Sequence, residues 1–145
     1  MMKVIIGSDH AGLALKKEIV PLLEEMGIEY EDVGAHETES VDYPDFARPV
    51  SEAVAAGTYE RGILICGTGI GMSISANKVK NIRCALVHDV FSAEMTRRHN
   101  DTNVLAMGER VIGPGLAKAI VTTWLETEYE GGRHQRRVEK MMELD

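Results

Sequence analysis

The sequence predicts an α/β fold: a three-layer α/β/α sandwich around a five-stranded parallel sheet, Rossmann-like, with a C-terminal helical tail. Three observations carry this. Short β-rich runs alternate with segments of helical periodicity, the pattern of repeated strand-helix units. The length, 145 residues, is that of one ordinary domain able to bury a real core. Hydrophobic residues at 44% and charged residues at 27%, with four prolines and fourteen glycines, fit a globular α/β chain and not a disordered or fibrous one.

The elements follow in order. KVIIG (3–7) is the first strand, and the next segment places Leu15, Ile19, Leu22, Leu23 and Met26 on one face of an amphipathic helix. Pro21 lies inside that pattern and, lacking an amide proton, is expected to kink the helix or mark a weak point. Gly27 supplies its C-terminal stop. IEYEDVG (28–34) is a more polar second strand nearer a sheet edge, followed by the polar loop HETESVDYP. Phe46, Val50, Ala53 and Val54 give a second helix its buried face. GILIC (62–66), RCALVH (83–88) and NVLAMG (103–108) are the remaining strands, with helices near 70–78, 90–99 and 114–127. Ala117, Ile120, Val121 and Trp124 form the stripe of the last of these. Residues 131–145, set off by Gly131 and Gly132, form a helical tail with Val138, Met141 and Met142 as its apolar edge. The tail packs on its own domain or reaches over a partner subunit. Residues 1–145 thus read as a single domain.

A formal net charge of -7 argues against a nucleic-acid or anionic-membrane surface, so any bound anion must be met by a local cluster. MMKVIIGSDH has too short an apolar run for a signal peptide, and no stretch approaches the ~20 apolar residues of a membrane span. A cytoplasmic location is the expectation. Cys66 and Cys84 are poor disulfide candidates in such a chain, and Cys84 reads as a plain buried core thiol.

In an open α/β sheet, function concentrates in loops leaving the C-terminal ends of strands, here SDHAG, GTGIG, HDV and GER. Gly67, Gly69 and Gly71 permit close approach to a ligand and open a helix whose first amides lack partners; the loop is an anion site or a tight structural turn. Its spacing fits neither a nucleotide phosphate loop nor a dinucleotide fingerprint. Cys66 precedes it, as a core residue ending a strand or as a thiolate serving as nucleophile or base. Asp9 and His10 end the first strand; as a pair they are a helix cap and a surface residue, or they line one crevice with Cys66 if the third strand lies beside the first. His99 and Asn100 end a helix, where an imidazole satisfies the last carbonyls or transfers protons, and Arg110 follows the next strand. His88 and Asp89 read as structural. Arg133 and Arg137 lie four apart in RHQRR, a solvated basic face or a phosphate clamp.

GSDHAG, DYPDFA, GILICGTGIGMSISANK, RRHNDTNVLAMGERV and YEGGRHQRRV together resemble the type B ribose-5-phosphate isomerase family, which includes the galactose-6-phosphate isomerase subunits. The resemblance runs in the same order from residue 3 to about 140. It implies aldose-ketose isomerisation of ribose 5-phosphate and ribulose 5-phosphate, a pentose phosphate pathway step, through an enediolate with neither metal nor cofactor. It implies Cys66 as the base between C1 and C2 and His99 as the acid that opens the furanose ring. The amides of Gly67, Thr68, Gly69, Ile70 and Gly71 would hold the oxyanion. Asp9, His10 and Asn100 would contact the sugar, and Arg110, Arg133 and Arg137 the substrate and its phosphate, with His10 helping there. The family's assemblies are homodimers or dimers of dimers with the pocket at the subunit interface. One branch uses serine in place of the cysteine and a glutamate base just after the glycine loop. Met72 stands there in this chain and cannot accept a proton, so it resembles the cysteine-base type.

The expected partner is therefore a small-molecule sugar phosphate, not nucleic acid or membrane. Allose 6-phosphate and galactose 6-phosphate are rival substrates. The galactose enzyme takes two different subunits, whereas this chain carries both the base and the arginines, which favours ribose. A non-catalytic sugar-phosphate sensor is the reading from another class; it would keep the arginines but have no need of Cys66 or His99.

Overall fold

The computed structural model describes residues 2–145. Five strands, β1 (Lys3–Ser8), β2 (Glu29–Asp32), β3 (Arg61–Cys66), β4 (Cys84–Leu86) and β5 (Val104–Gly108), form one sheet in the order β2-β1-β3-β5-β4. Every neighbouring pair is parallel. Six α-helices, α1 (Leu13–Glu25), α2 (Pro44–Ala55), α3 (Ile70–Ala76), α4 (Val90–Asn100), α5 (Pro114–Glu126) and α6 (Arg133–Met142), cover the sheet and end the chain.

Alternation along the central strands builds the two halves of the core. Val4, Ile6, Ile63, Ile65, Leu105 and Met107 point to one face and pack with Leu15, Ile19 and Leu23 of α1 and Ile120, Val121 and Trp124 of α5. Ile5, Leu64, Cys66, Val104 and Ala106 point to the other, against Val50 and Val54 of α2 and Met72 and Ala76 of α3. Both faces are covered, as a parallel sheet requires. From β1 the chain turns one way to β2 and then crosses to β3, so the crevice where strand order reverses opens between β1 and β3.

The edges depart from expectation. β2 and β4 are shorter than the runs 28–34 and 83–88, because each has a single neighbour to pair with. The outer edge of β4 is closed by Asn77, whose side chain takes the Cys84 amide at 2.8 Å and donates to the Cys84 carbonyl at 3.0 Å. That arrangement blunts an open edge. Cys84 is only partly buried there, and desolvation pushes its thiol up to about 12, which leaves it inert at neutral pH. α1 runs unbroken through Pro21. Pro21 lies on the exposed side, so the carbonyl that loses its helical donor, that of Lys17, faces solvent. Gly27, at φ 69, ends α1 as expected, with the Ile28 and Gly27 amides returning to the Leu23 and Glu24 carbonyls. Lys16 carries no sequence signal for its place: it is buried, with Nζ at 2.7 Å from both Asp32 Oδ1 and the Ala35 carbonyl. A buried ammonium is tolerated because it is paired in this way.

Candidate active site

The register sets Ser8 opposite Ile65, which brings Asp9 beside Cys66 at the crevice. The Asp9 amide donates to the Ile65 carbonyl at 3.3 Å, and Oδ1 accepts the amides of Ala11 and Gly12 at 3.0 and 3.1 Å. Asp9 therefore caps the 3-10 turn His10–Gly12 and presses it onto β3. Gly12 is required by that contact: a Cβ there would stand 2.3 Å from the Ile65 carbonyl oxygen. His10 Nδ1 accepts the Val41 amide at 3.1 Å, so in the neutral ring the proton is on Nε2, available as a donor.

Cys66 is buried at the end of β3 and its sulfur accepts the Gly69 amide at 3.1 Å. Gly69 turns that amide back by adopting φ 78, and a Cβ there would lie 2.8 Å from the Met107 carbonyl carbon. Among the described residues the Thr68 and Gly71 amides donate to no protein acceptor, while the Ile70 amide goes to Thr68 Oγ1 at 3.3 Å. The loop after β5 is stitched alongside, with the Glu109 and Arg110 amides donating to the Cys66 and Gly67 carbonyls at 2.9 and 3.0 Å. Glu109 Oε1 in turn accepts the Leu15 amide at 2.7 Å. The Arg110 guanidinium stands over Gly67, and the Tyr43 ring packs on Gly71. Asp9, His10, Cys66, Gly67, Thr68, Gly69, Ile70, Gly71 and Arg110 thus form one cluster. Beside it, Ile70 and Ile74 turn their side chains out, 50% and 56% exposed, and Phe91 at the start of α4 is 71% exposed.

His99, Asn100, Arg133 and Arg137 are not in that cluster. α4 spans eleven residues, from just beyond the C-terminal end of β4 to Asn100, just before β5 begins. The end of α5 is fixed at the same lower edge, where Arg61, the first residue of β3, donates from Nη1 to the Trp124 carbonyl at 2.7 Å. Cys66 is the last residue of β3, so it and His99 lie on opposite edges of the sheet, roughly a strand length or 16–20 Å apart. Within one chain His99 does not share the crevice with Cys66, because a helix linking parallel strands carries its C-terminus back to the strands' starts.

At this lower edge a second cluster forms. The rings of His99 and His134 stack at 4.2 Å with 17° between their planes, and the Glu130 amide donates to the Arg98 carbonyl at 3.1 Å. Arg133 and Arg137 are exposed on α6 and, with Arg110, form no ion pair among the described residues; buried Arg97, by contrast, is bound to Asp101 at 2.8 Å. Asn100 Oδ1 accepts the Thr96 hydroxyl at 3.0 Å and faces a cavity of about 500 Å³ lined also by Arg83, Cys84, Met141 and Met142. Burial, then the charge of His99, pushes the His134 imidazole below its ordinary range; Glu130 opposes this and Arg133 and Arg137 add to it. The ligand atoms of His99, Glu130 and His134 fall within 4.8 Å of one another. Nearly parallel rings leave no point in both ring planes where one ion could sit, so as arranged they are not a ligand set. His88 and Asp89 are structural: His88 Nε2 accepts the Gly108 amide at 3.0 Å, and Asp89 caps α4 through Ser92.

Comparison with known proteins decides the family, since residues 4–141 match the profile described as Ribose/Galactose Isomerase. The chain belongs to the ribose/galactose isomerase family. Within this family it resembles the type B ribose-5-phosphate isomerases. The ribose-5-phosphate isomerase B of Escherichia coli (strain K12) is 52% identical over 145 residues, covering 100% of this chain and 97% of the relative. A Bacillus subtilis (strain 168) protein, provisionally assigned as a sugar phosphate isomerase, is 63% identical over 145 residues, 99% of this chain and 97% of that one. The ribose-5-phosphate isomerase B of Mycoplasma genitalium, solved with bound ribulose 5-phosphate, superposes with a TM-score of 0.95 at 39% identity, over 99% of this chain and 95% of that one. As a ribose/galactose isomerase family member, the chain is a sugar phosphate isomerase. Among the described residues no helix is long and apolar enough to cross a membrane.

Two contributors to these clusters, His134 and the Val41 amide, receive no role from the sequence, although His134 lies inside RHQRR beside the two arginines. His134 does carry a faint signal: with Val138 it forms an i,i+4 pair, both buried, beside the exposed Arg133 and Arg137. The Val41 contact spans 31 residues and has no local signal.

Proposed function

We propose that this isomerase interconverts ribose 5-phosphate and ribulose 5-phosphate through an enediolate, and that each site is built by two copies of the chain. The observation that carries the chemistry is the Cys66 sulfur held by the Gly69 amide, with the Thr68 and Gly71 amides free beside it. Ring opening breaks the C1–O4 bond: His99 gives O4 its proton, and the C1 hydroxyl gives its own up to solvent as the C1 carbonyl forms. Cys66 then takes the proton from C2. Charge that develops on the former aldehyde oxygen meets the loop amides, donors already in place before the reaction. Returning the proton to C1, while the O2 proton passes to O1, completes the ketose. Arg133 and Arg137 hold the phosphate, and that remote binding energy positions the reacting carbons.

Two copies are needed because His99 and both arginines lie on the edge opposite Cys66. A partner related by a twofold axis sets its lower edge against this chain's crevice, and symmetry returns the contact, giving two equal sites. The outward Ile70, Ile74 and Phe91 beside the crevice are surface such a partner would cover. The bound ribulose 5-phosphate of the Mycoplasma genitalium relative supports a pentose phosphate, whereas the family's description also names galactose. A panel of pentose and hexose phosphates, assayed with a chelator present, tests the reading. Ribose 5-phosphate should be preferred and unaffected by chelation. A preference for allose or galactose 6-phosphate would transfer the assignment to a hexose, and binding without turnover of any sugar would make the protein a sensor.

A further inference from the structure

We propose that His134 is a positioning residue for His99: its buried ring is the floor that sets the plane of the acid. This rests on the reading of His99 as the ring-opening acid. His99 itself is only half-buried, at the end of α4, where a side chain has rotameric freedom unless something fixes it. What fixes it is the face of His134, stacked at 4.2 Å and 17°. His134 is anchored from below: it is 5% exposed, and Val138 one turn on is also buried. Its Nε2 has no hydrogen-bond partner; the Glu130 carboxylate approaches only to 3.7 Å. A buried polar group kept without a partner costs stability, and such exceptions mark a role other than packing.

The choice of histidine over a larger aromatic matters less than its flatness and its neutrality. A neutral ring under an imidazolium attracts it through its face, whereas a second imidazolium would repel it. The groups facing His134 are His99, Glu130, Arg133 and Arg137; burial and three of these four oppose charge on it. The floor is thereby held toward its neutral form, beneath the ring that reaches solvent and substrate. A loss of about tenfold in turnover on removing the floor is the scale expected for a misplaced acid, below the full ~10²–10⁴-fold worth of general acid catalysis.

Ribulose 5-phosphate allows the test, because its C5 oxygen carries the phosphate and it forms no furanose. Wash-in of deuterium from D2O at its C1 reports the Cys66 step without ring chemistry, while ribose 5-phosphate turnover needs both. His134→Ala should lower kcat on ribose 5-phosphate about tenfold, leave KM and deuterium wash-in within about twofold, and be largely rescued by His134→Phe, which keeps a flat neutral ring. Unchanged kcat in His134→Ala, equal loss of wash-in, or failure of His134→Phe to rescue while remaining folded would each overturn the proposal. His99→Asn run in parallel separates the two claims. If it keeps full ribose 5-phosphate turnover, the role of His99 itself falls, whereas a large loss there beside a silent His134→Ala refutes the positioning role alone.

Discussion

If Cys66 and His99 of one chain stand on opposite edges of the sheet, two dead variants can make a live enzyme. On the proposed mechanism Cys66→Ala lacks the base and His99→Asn the acid, so each homodimer should retain little ribose 5-phosphate turnover. In a mixed dimer, one site combines both substitutions, and the other pairs the intact Cys66 of one chain with the intact His99 of its partner. Random mixing at equal amounts makes about half the dimers mixed, each with one of two sites intact, so activity should recover to about a quarter of wild type. Purifying the mixed species through two different tags should raise this to about a half. The assay is ribose 5-phosphate turnover after co-expression. The separation of roughly 16–20 Å between the residues within a chain leaves no route for a single copy to bring them together without unfolding α4. No recovery in a purified, folded mixed dimer would refute the two-chain site, because a one-chain site stays broken in every combination.

Four further outcomes follow from the same geometry. If Arg137 holds the phosphate as proposed, Arg137→Ala should raise KM for ribose 5-phosphate more than it lowers kcat, since that group is remote from the reacting carbons; an unchanged KM counts against the clamp. Gly69→Ala places a Cβ 2.8 Å from the Met107 backbone at a left-handed position, so the amide leaves the Cys66 sulfur; turnover should fall by about 10² or more, with a lower melting temperature in thermal denaturation. Trp124→Phe loses the indole hydrogen bond to Thr102 Oγ1 at 3.0 Å and should cost about 1–3 kcal/mol in urea unfolding with activity retained once folded. His134 is held below its ordinary pKa, so the unfolded chain binds more protons there than the folded one. Stability should therefore be full above pH ~6.5 and fall as pH drops below it, and His134→Phe should flatten that slope in denaturation curves.

The central strands and the helices that cover them were legible because their residues obey one local rule at a time: Val4, Ile5 and Ile6 or Ile63, Leu64 and Ile65 are apolar on both faces, and α5 shows its stripe outright. The edges were less legible. The ends of β2 and β4 depend on which strand stands next to them, and Asn77 closing β4 is a contact between elements. For the site, the glycine loop announced itself, since Gly69 must adopt a backbone that other residues avoid. Asp9 turned out to be a cap, as its position suggested, and also a neighbour of Cys66, which only strand order could reveal. The separation of His99 from Cys66 follows from topology: strand ends and helix ends alternate between the two edges, and no residue type records which edge it will occupy.

The proton transfer at Cys66 is the claim on which the rest depends, and deuterium incorporation tests it most directly. Wild-type protein in D2O should place deuterium at C1 of ribulose 5-phosphate, and at C2 of the ribose 5-phosphate formed from it. Cys66→Ala should bind the sugar phosphate and exchange at least about 10²-fold more slowly. If Cys66→Ala exchanges at a rate close to wild type, another residue is the base and Cys66 has no part in forming the enediolate.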